Sequence, residues 1–102
     1  IMKSHITDLD KLISQRILKI RNRLGIPSYK IADYLNVSSS FVRAVENHTM
    51  KYNVKHIFLI VQFFNEYDDT VDFNDIFPER DDELIIELQE TKKVNNKYQK
   101  EI

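Results

Sequence analysis

The chain has 102 residues, one glycine and no cysteine, and its formal net charge is −1. A chain of this length forms about one domain. Without cysteine it has no disulfide framework, thiolate metal site or cysteine nucleophile. Its most apolar stretch, residues 57–67, is far shorter than the roughly 20 residues of a membrane span. We therefore expect a cytoplasmic protein that makes no membrane contact.

The charges are divided unevenly along the chain. Residues 1–60 contain ten lysine or arginine residues and four acidic residues, whereas residues 61–102 contain five basic and twelve acidic residues. Such a division indicates a basic working face and an acidic appendage. The net charge of −1 therefore does not exclude a nucleic-acid partner, because the basic residues are concentrated in residues 1–60.

The first helix is predicted over residues 7–24, where leucine and isoleucine recur every three or four positions. Thr7 supplies a capping hydroxyl at its start. Gly25 ends it, because glycine adopts a left-handed backbone easily, and Pro27 prevents its continuation.

Two short helices are predicted next, over residues 28–35 and 39–47. Asn36 suits a left-handed turn between them, and Ser38 can cap the second one through its hydroxyl. Two helices joined by a tight break form the pattern of a helix-turn-helix.

A fourth helix is predicted over residues 54–65, with Asn53 as its cap. It is apolar on nearly every side, so both faces must be covered. The face expected in the core consists of Val54, Ile57, Phe58, Val61 and Phe64.

The opposite face of this helix consists of Leu59, Ile60, Phe63 and Tyr67. Two explanations stay open for its cover: Phe73, Phe77 and the last helix of the same chain, or a second copy of the protein.

Two further helices complete the prediction. A short one covers residues 72–77, with Asp72 as its cap and with Phe73, Ile76 and Phe77 turned inward. After Pro78, residues 79–98 form a helix with acids at its start and lysines near its end, as the helix dipole favours.

Residues 12–66 resemble the helix-turn-helix domain of phage repressor and Cro proteins and of the related XRE-type bacterial regulators. The segment ILKIRNRLGIPSYKIADYLNVSSSFVRAVEN carries the resemblance. Ala32 lies where the two helices of the motif touch, Asn36 in the turn, and Val42 and Val45 on the inner face.

The resemblance implies an all-α fold: a five-helix, lambda repressor-like DNA-binding domain over residues 5–77, and an additional acidic helix within residues 78–102. It also implies a partly buried salt bridge between Arg21 and Glu46. Two positions depart from the family, since Asn36 replaces the turn glycine and Ser28 replaces the glutamine that commonly opens the second helix.

The family pattern assigns roles in DNA binding to residues of the third helix and its surroundings. Arg43 is the expected specific reader, because a guanidinium bonds guanine at two atoms. The residues expected to face base edges are Ser39, Ser40, Arg43 and Ala44. Those expected to contact phosphates are Ser28, Ser38, Asn47, Lys51 and Tyr52.

Structural explanations exist for the same residues. The three serines at 38–40 also suit an ordinary helix cap and solvated first turn, and Arg43 also suits a plain protein surface. His5, His48 and His56 are too scattered to indicate a metal site. The acids at 81–83 fit a solvated helix start better than catalysis.

We therefore predict a DNA-binding transcriptional regulator, neither enzyme nor cofactor protein. A homodimer would set two recognition helices into successive major grooves about 34 Å apart. The segment 78–102 would support dimerisation or bind a protein partner. Two alternatives remain: a protein-interaction module that keeps the fold and uses its acidic segment, and an antitoxin that represses its own operon.

Overall fold

The computed structural model describes residues 6–95, with side chains described for residues 6–90. Within that range it contains five α-helices, one short 3-10 helix and no strand, so the all-α prediction is confirmed. The helices are α1 (Asp8–Leu24), α2 (Ser28–Leu35), α3 (Ser39–Glu46), α4 (Val54–Tyr67) and α5 (Asp82–Asn95).

The helix ends follow the capping residues that the sequence offers. Thr7 caps α1 by accepting a hydrogen bond from the Asp10 backbone N–H, and the Asp10 carboxylate accepts one from the Thr7 N–H in return. Gly25 and Asn36 have φ angles of 71° and 60°, in the left-handed region that ends α1 and α2. Ser38 and Asn53 cap α3 and α4. These predictions are confirmed.

The core lies where α1 and α2 each pack against both α3 and α4. The apolar stripe of α1 is buried there, and Val42 and Val45 of α3 have no solvent exposure. Burial of branched and aromatic side chains of this kind supplies most of the stability of a small helical domain. The most completely buried large side chains are Phe64, Ile17, Ile26, Ile31, Ile60 and Ile76.

The predicted core face of α4 is wrong at two positions. Val54 is 82% exposed and Phe58 is 51% exposed, whereas Ile57, Val61 and Phe64 are buried as expected. Because α4 is apolar on nearly every side, its sequence pattern does not point in a unique direction, and the packing partners decide the outcome. The core face is rotated toward Ile60 and Phe63.

The second apolar face of α4 is covered within the chain by α2. Ile60 and Phe63 are buried, and the ring of Tyr34 in α2 stacks on Phe63 with a centroid separation of 4.6 Å. Of the two explanations left open, cover within the same chain is the one found for Ile60 and Phe63, but α2 supplies it. Phe73 stacks on Phe58 instead, and Tyr67 remains 46% exposed.

The predicted helix at 72–77 is a three-residue 3-10 helix, Phe73–Asp75, capped by Asp72 as expected. Of the three side chains expected to turn inward, Ile76 is fully buried, whereas Phe73 and Phe77 remain more than one-third exposed. The segment is too short to bury three large side chains, since a 3-10 helix has only three residues per turn.

The last helix begins at Asp82 rather than at residue 79. The Asp81 carboxylate accepts hydrogen bonds from the Glu83 and Leu84 N–H groups at 3.0 and 3.2 Å, so Asp81 acts as its cap. The Glu87 carboxylate accepts a bond from the Asp8 N–H, which ties α5 to the start of α1. The helix prediction beyond Asn95 lies outside the described residues.

Candidate nucleic-acid interface

An ion pair fixes α3 relative to the rest of the domain. The Arg21 guanidinium, in the last turn of α1, donates to both carboxylate oxygens of Glu46 at 2.9 and 3.2 Å. It also donates to the Ile26 carbonyl at 2.7 Å, in the connection between α1 and α2. Each of the two charged side chains is only 14% exposed. The pair implied by the resemblance is thus present, and bidentate geometry makes it directional.

The outer face of α3 is polar and accessible. Ser40, Arg43 and Asn47 are exposed and recur at three- and four-residue spacing, opposite the buried valines of the helix. Ser39 and Ala44, also predicted to face base edges, are half-buried at the margins of this face. The predicted base-contacting residues therefore belong to one surface, and Arg43 is its only charged side chain.

The start of α3 is preorganised by its own side chains. The Ser38 hydroxyl accepts a hydrogen bond from the Phe41 N–H at 3.0 Å. The Arg43 guanidinium donates to the Ser40 hydroxyl at 3.5 Å, the long limit of a hydrogen bond. An exposed bond of that length is weak, so Arg43 can exchange it for another acceptor.

The loop after α3 folds back onto the end of that helix. The Ala44 carbonyl accepts from the Thr49 N–H and hydroxyl at 2.9 and 3.1 Å. His48 adopts a φ angle of 68°, where a side chain is strained. This tight return places Lys51 beside α1, with its ammonium 3.8 Å from the Asp10 carboxylate. The Lys51 side chain is half-exposed and can still reach an external anion.

Sequence reasoning missed this role of Asp10. The spacing of Thr7 and Asp10 indicates a capping pair, but the ion pair with Lys51 joins residues 41 positions apart and depends on the tertiary fold.

The phosphate contact predicted for Tyr52 is wrong. Its side chain is only 6% exposed, and its ring packs edge-on against Phe41. The hydroxyl is buried and has no hydrogen-bond partner among the described residues, and burial raises the pKa of this phenol well above its usual range. The position of Tyr52 just after the third helix favours a phosphate contact through its hydroxyl. In the structure its ring instead packs between Phe41 of α3 and His56 of α4.

Ser28 is the first residue of α2 and is half-buried. The residue before it is Pro27, so no side chain caps this helix. The Lys30 N–H donates to the Pro27 carbonyl at 3.0 Å, which leaves the N–H groups of Ser28 and Tyr29 to an acceptor such as water or a phosphate. The phosphate contact predicted for Ser28 stays a prediction, and the backbone N–H groups at the start of α2 support it as well as the Ser28 side chain.

The described residues show no grouping of three or more histidine or acidic side chains that could hold a metal ion. None of the helices in this part of the chain is both long and apolar enough to cross a membrane. Comparison with protein-family models, with curated proteins and with solved structures finds no match to the chain.

Proposed function

We propose that the protein is a sequence-specific, DNA-binding transcriptional regulator of the repressor-like helix-turn-helix kind. The observation that carries this proposal is the outer face of α3, where Ser40, Arg43 and Asn47 are exposed while the ion pair of Arg21 with Glu46 holds the helix in place. A recognition helix needs short polar side chains at the end that enters the major groove, and it must be fixed rigidly against the rest of the domain.

In this proposal Arg43 reads a guanine and Ser40 makes a less specific contact to a neighbouring base. Asn47, Lys51 and the start of α2 hold the phosphate backbone and set the register. A homodimer places two such helices in successive major grooves of double-stranded DNA.

The test is the fluorescence anisotropy of a labelled mixed-sequence duplex, titrated with protein over a salt series. Affinity should fall steeply with salt, because binding releases counterions from phosphates. Lys51→Ala should weaken binding to every sequence and flatten the salt dependence. After an operator has been selected from random duplexes, Arg43→Ala should relax the preference at one base pair, by about 1–3 kcal/mol of discrimination.

Lys19→Ala is the matched control, since Lys19 is an exposed lysine of α1 that has no part in the proposed DNA contacts. A loss of affinity as large as that of Lys51→Ala would indicate non-specific attraction. If the wild-type protein does not bind DNA even at low salt, the regulator proposal is wrong and the interaction-module alternative takes its place.

A further inference from the structure

Three exposed phenylalanine rings lie side by side and together form what is called here the phenylalanine surface. Phe58 of α4 lies 6.1 Å from Phe73, and Phe73 lies 6.3 Å from Phe77, measured between ring centroids. The three side chains are 51%, 39% and 38% exposed. Single apolar residues are normal on a protein surface, but a contiguous aromatic patch indicates an interaction site.

A groove between α1 and α5 extends this surface beyond Phe77. The apolar part of its lining consists of Leu9, Phe77, Pro78, Leu84, Ile85 and Leu88. Glu79, Arg80 and Asp81 supply the polar part. The groove has a volume of about 240 Å³, which is below the roughly 300–1,000 Å³ of small-molecule sites. It therefore suits one or two side chains of a larger partner.

Two carboxylates flank the middle ring, and hydrogen bonds hold both of them in the same 3-10 turn as Phe73. The Asp72 carboxylate accepts from the Asn74 N–H at 2.9 Å, and the Asp75 carboxylate accepts from the Asp72 N–H at 2.9 Å. Both aspartates are exposed. Neither takes part in a salt bridge with the side chains described at 6–90. Two uncompensated negative charges thus stand beside the central ring.

The wider charge around the phenylalanine surface is negative as well. Residues 61–90 contain eleven acidic residues and one basic residue, Arg80, which is paired with an acid at 3.1 Å. Lys55 lies one helical turn before Phe58 on α4. A second groove, beside Asp75, is lined on the α1 side by Arg16, Lys19 and Arg23. These five bases do not balance the eleven acids, so the surroundings of the rings attract a basic partner.

The charge and the ring spacing together select the kind of partner. A second copy that presented the same surface would bring acids against acids, and DNA or an anionic membrane would be repelled. Residues 6–95 contain no strand whose edge an extended peptide could join. An amphipathic helix presents apolar side chains about every 5–6 Å along its axis, close to the ring separations of 6.1 and 6.3 Å.

We propose that the phenylalanine surface binds a basic amphipathic helix of another protein. The apolar side chains of that helix pack on the three rings, and its lysine or arginine residues pair with Asp72 and Asp75. This binding goes beyond the proposed function, because it gives the domain a protein partner at a surface separate from the outer face of α3. It does not depend on DNA binding.

Tryptophan fluorescence of a synthetic peptide tests the proposal, because the protein contains no tryptophan of its own. The probe is a helical peptide of about 15 residues, with leucine and one tryptophan on one face and lysine on the flanks. Its emission should shift to the blue and saturate as protein is added. A peptide with glutamate in place of lysine should bind at least about tenfold more weakly. Absence of saturable binding, or equal binding of the two peptides, would overturn the proposal.

Matched variants of the protein locate the site. Phe58→Ala should raise the dissociation constant of the lysine peptide about tenfold. Asp72→Asn keeps an oxygen for the Asn74 N–H and should raise it about threefold. The controls are Tyr29→Ala and Asp33→Asn, which remove a 54% exposed ring and an exposed acid from α2 and should change nothing. Equal losses in the controls would show general attraction to an acidic protein and would contradict the site.

Sedimentation equilibrium of the protein without peptide tests the other occupant. If the protein self-associates and Phe58→Ala abolishes the association, a second copy covers the rings and the proposal is wrong. Phe58→Ala should leave DNA affinity in the anisotropy assay unchanged, so the fate of this proposal and that of the regulator proposal are read from separate measurements.

Discussion

Arg21 and Glu46 connect the last turn of α1 to the last residue of α3, with a shortest nitrogen–oxygen distance of 2.9 Å. The outer face of α3 is thus held from behind by an ion pair whose side chains are only 14% exposed. The contribution of this ion pair to stability can be measured without changing the outer face of α3, because neither Arg21 nor Glu46 belongs to that face.

Glu46→Gln should lower the free energy of unfolding by about 2 kcal/mol, because it leaves the Arg21 charge mostly buried with a weaker acceptor. Urea denaturation followed by circular dichroism measures this loss. The matched control is Arg23→Gln, which removes the exposed pair of Arg23 with Asp68. That change should cost less than about 1 kcal/mol. Equal losses in the two variants would show that the buried pair has no special role.

Removal of the Asp10 charge should strengthen DNA binding. In the free protein the Asp10 carboxylate lies 3.8 Å from the Lys51 ammonium, so in the proposed complex it would compete with a phosphate for that charge. Asp10→Asn keeps an oxygen that can accept the hydrogen bond from the Thr7 N–H, and it should raise DNA affinity about two- to fivefold, the range of an exposed ion pair. In a Lys51→Ala background the gain should disappear. If it persists there, Asp10 acts by general repulsion of DNA rather than through Lys51.

Two positions with left-handed backbone should respond in opposite directions to substitution. A Cβ at Gly25 would meet nothing within 4 Å, so Gly25→Ala should cost only the left-handed strain, about 1 kcal/mol. His48→Gly should instead stabilise the domain by about 1 kcal/mol, because glycine has no Cβ to be strained at a φ angle of 68°. Thermal unfolding measures both. Loss of stability in His48→Gly would show that the imidazole packing outweighs the strain.

The sequence predicted local structure well and packing less well. Thr7, Gly25, Asn36, Ser38 and Asn53 end or begin helices through bonds to residues a few positions away, so their roles are visible in the sequence.

The burial of Tyr52 and the exposure of Phe58 depend instead on which helix packs on which face. An aromatic residue suits a core and an interface equally, and no local pattern separates the two. The same limit explains why the surface formed by Phe58, Phe73 and Phe77 became visible only in the fold.

Acid should destabilise the domain through His56. Its Nδ1 accepts a hydrogen bond from the Asn53 N–H at 3.2 Å, which requires the unprotonated ring. Burial, and then the neighbouring charge of Lys55, lower the pKa of His56 below its ordinary value of 6.5. The unfolded chain therefore takes up this proton first as the pH falls. Stability should be highest above pH 6.5, fall as the pH drops toward the folded-state pKa, and then level off.

The control for this pH effect is His56→Gln, which keeps an acceptor at the third helical position of the capping pair but cannot titrate. Urea midpoints measured between pH 7.5 and pH 5 in both proteins isolate His56, because His5 and His48 are present in each. The wild-type midpoint should fall more steeply than that of the variant. Parallel curves would mean that the ring accepts its proton without loss of the cap, and that the start of α4 does not depend on this bond.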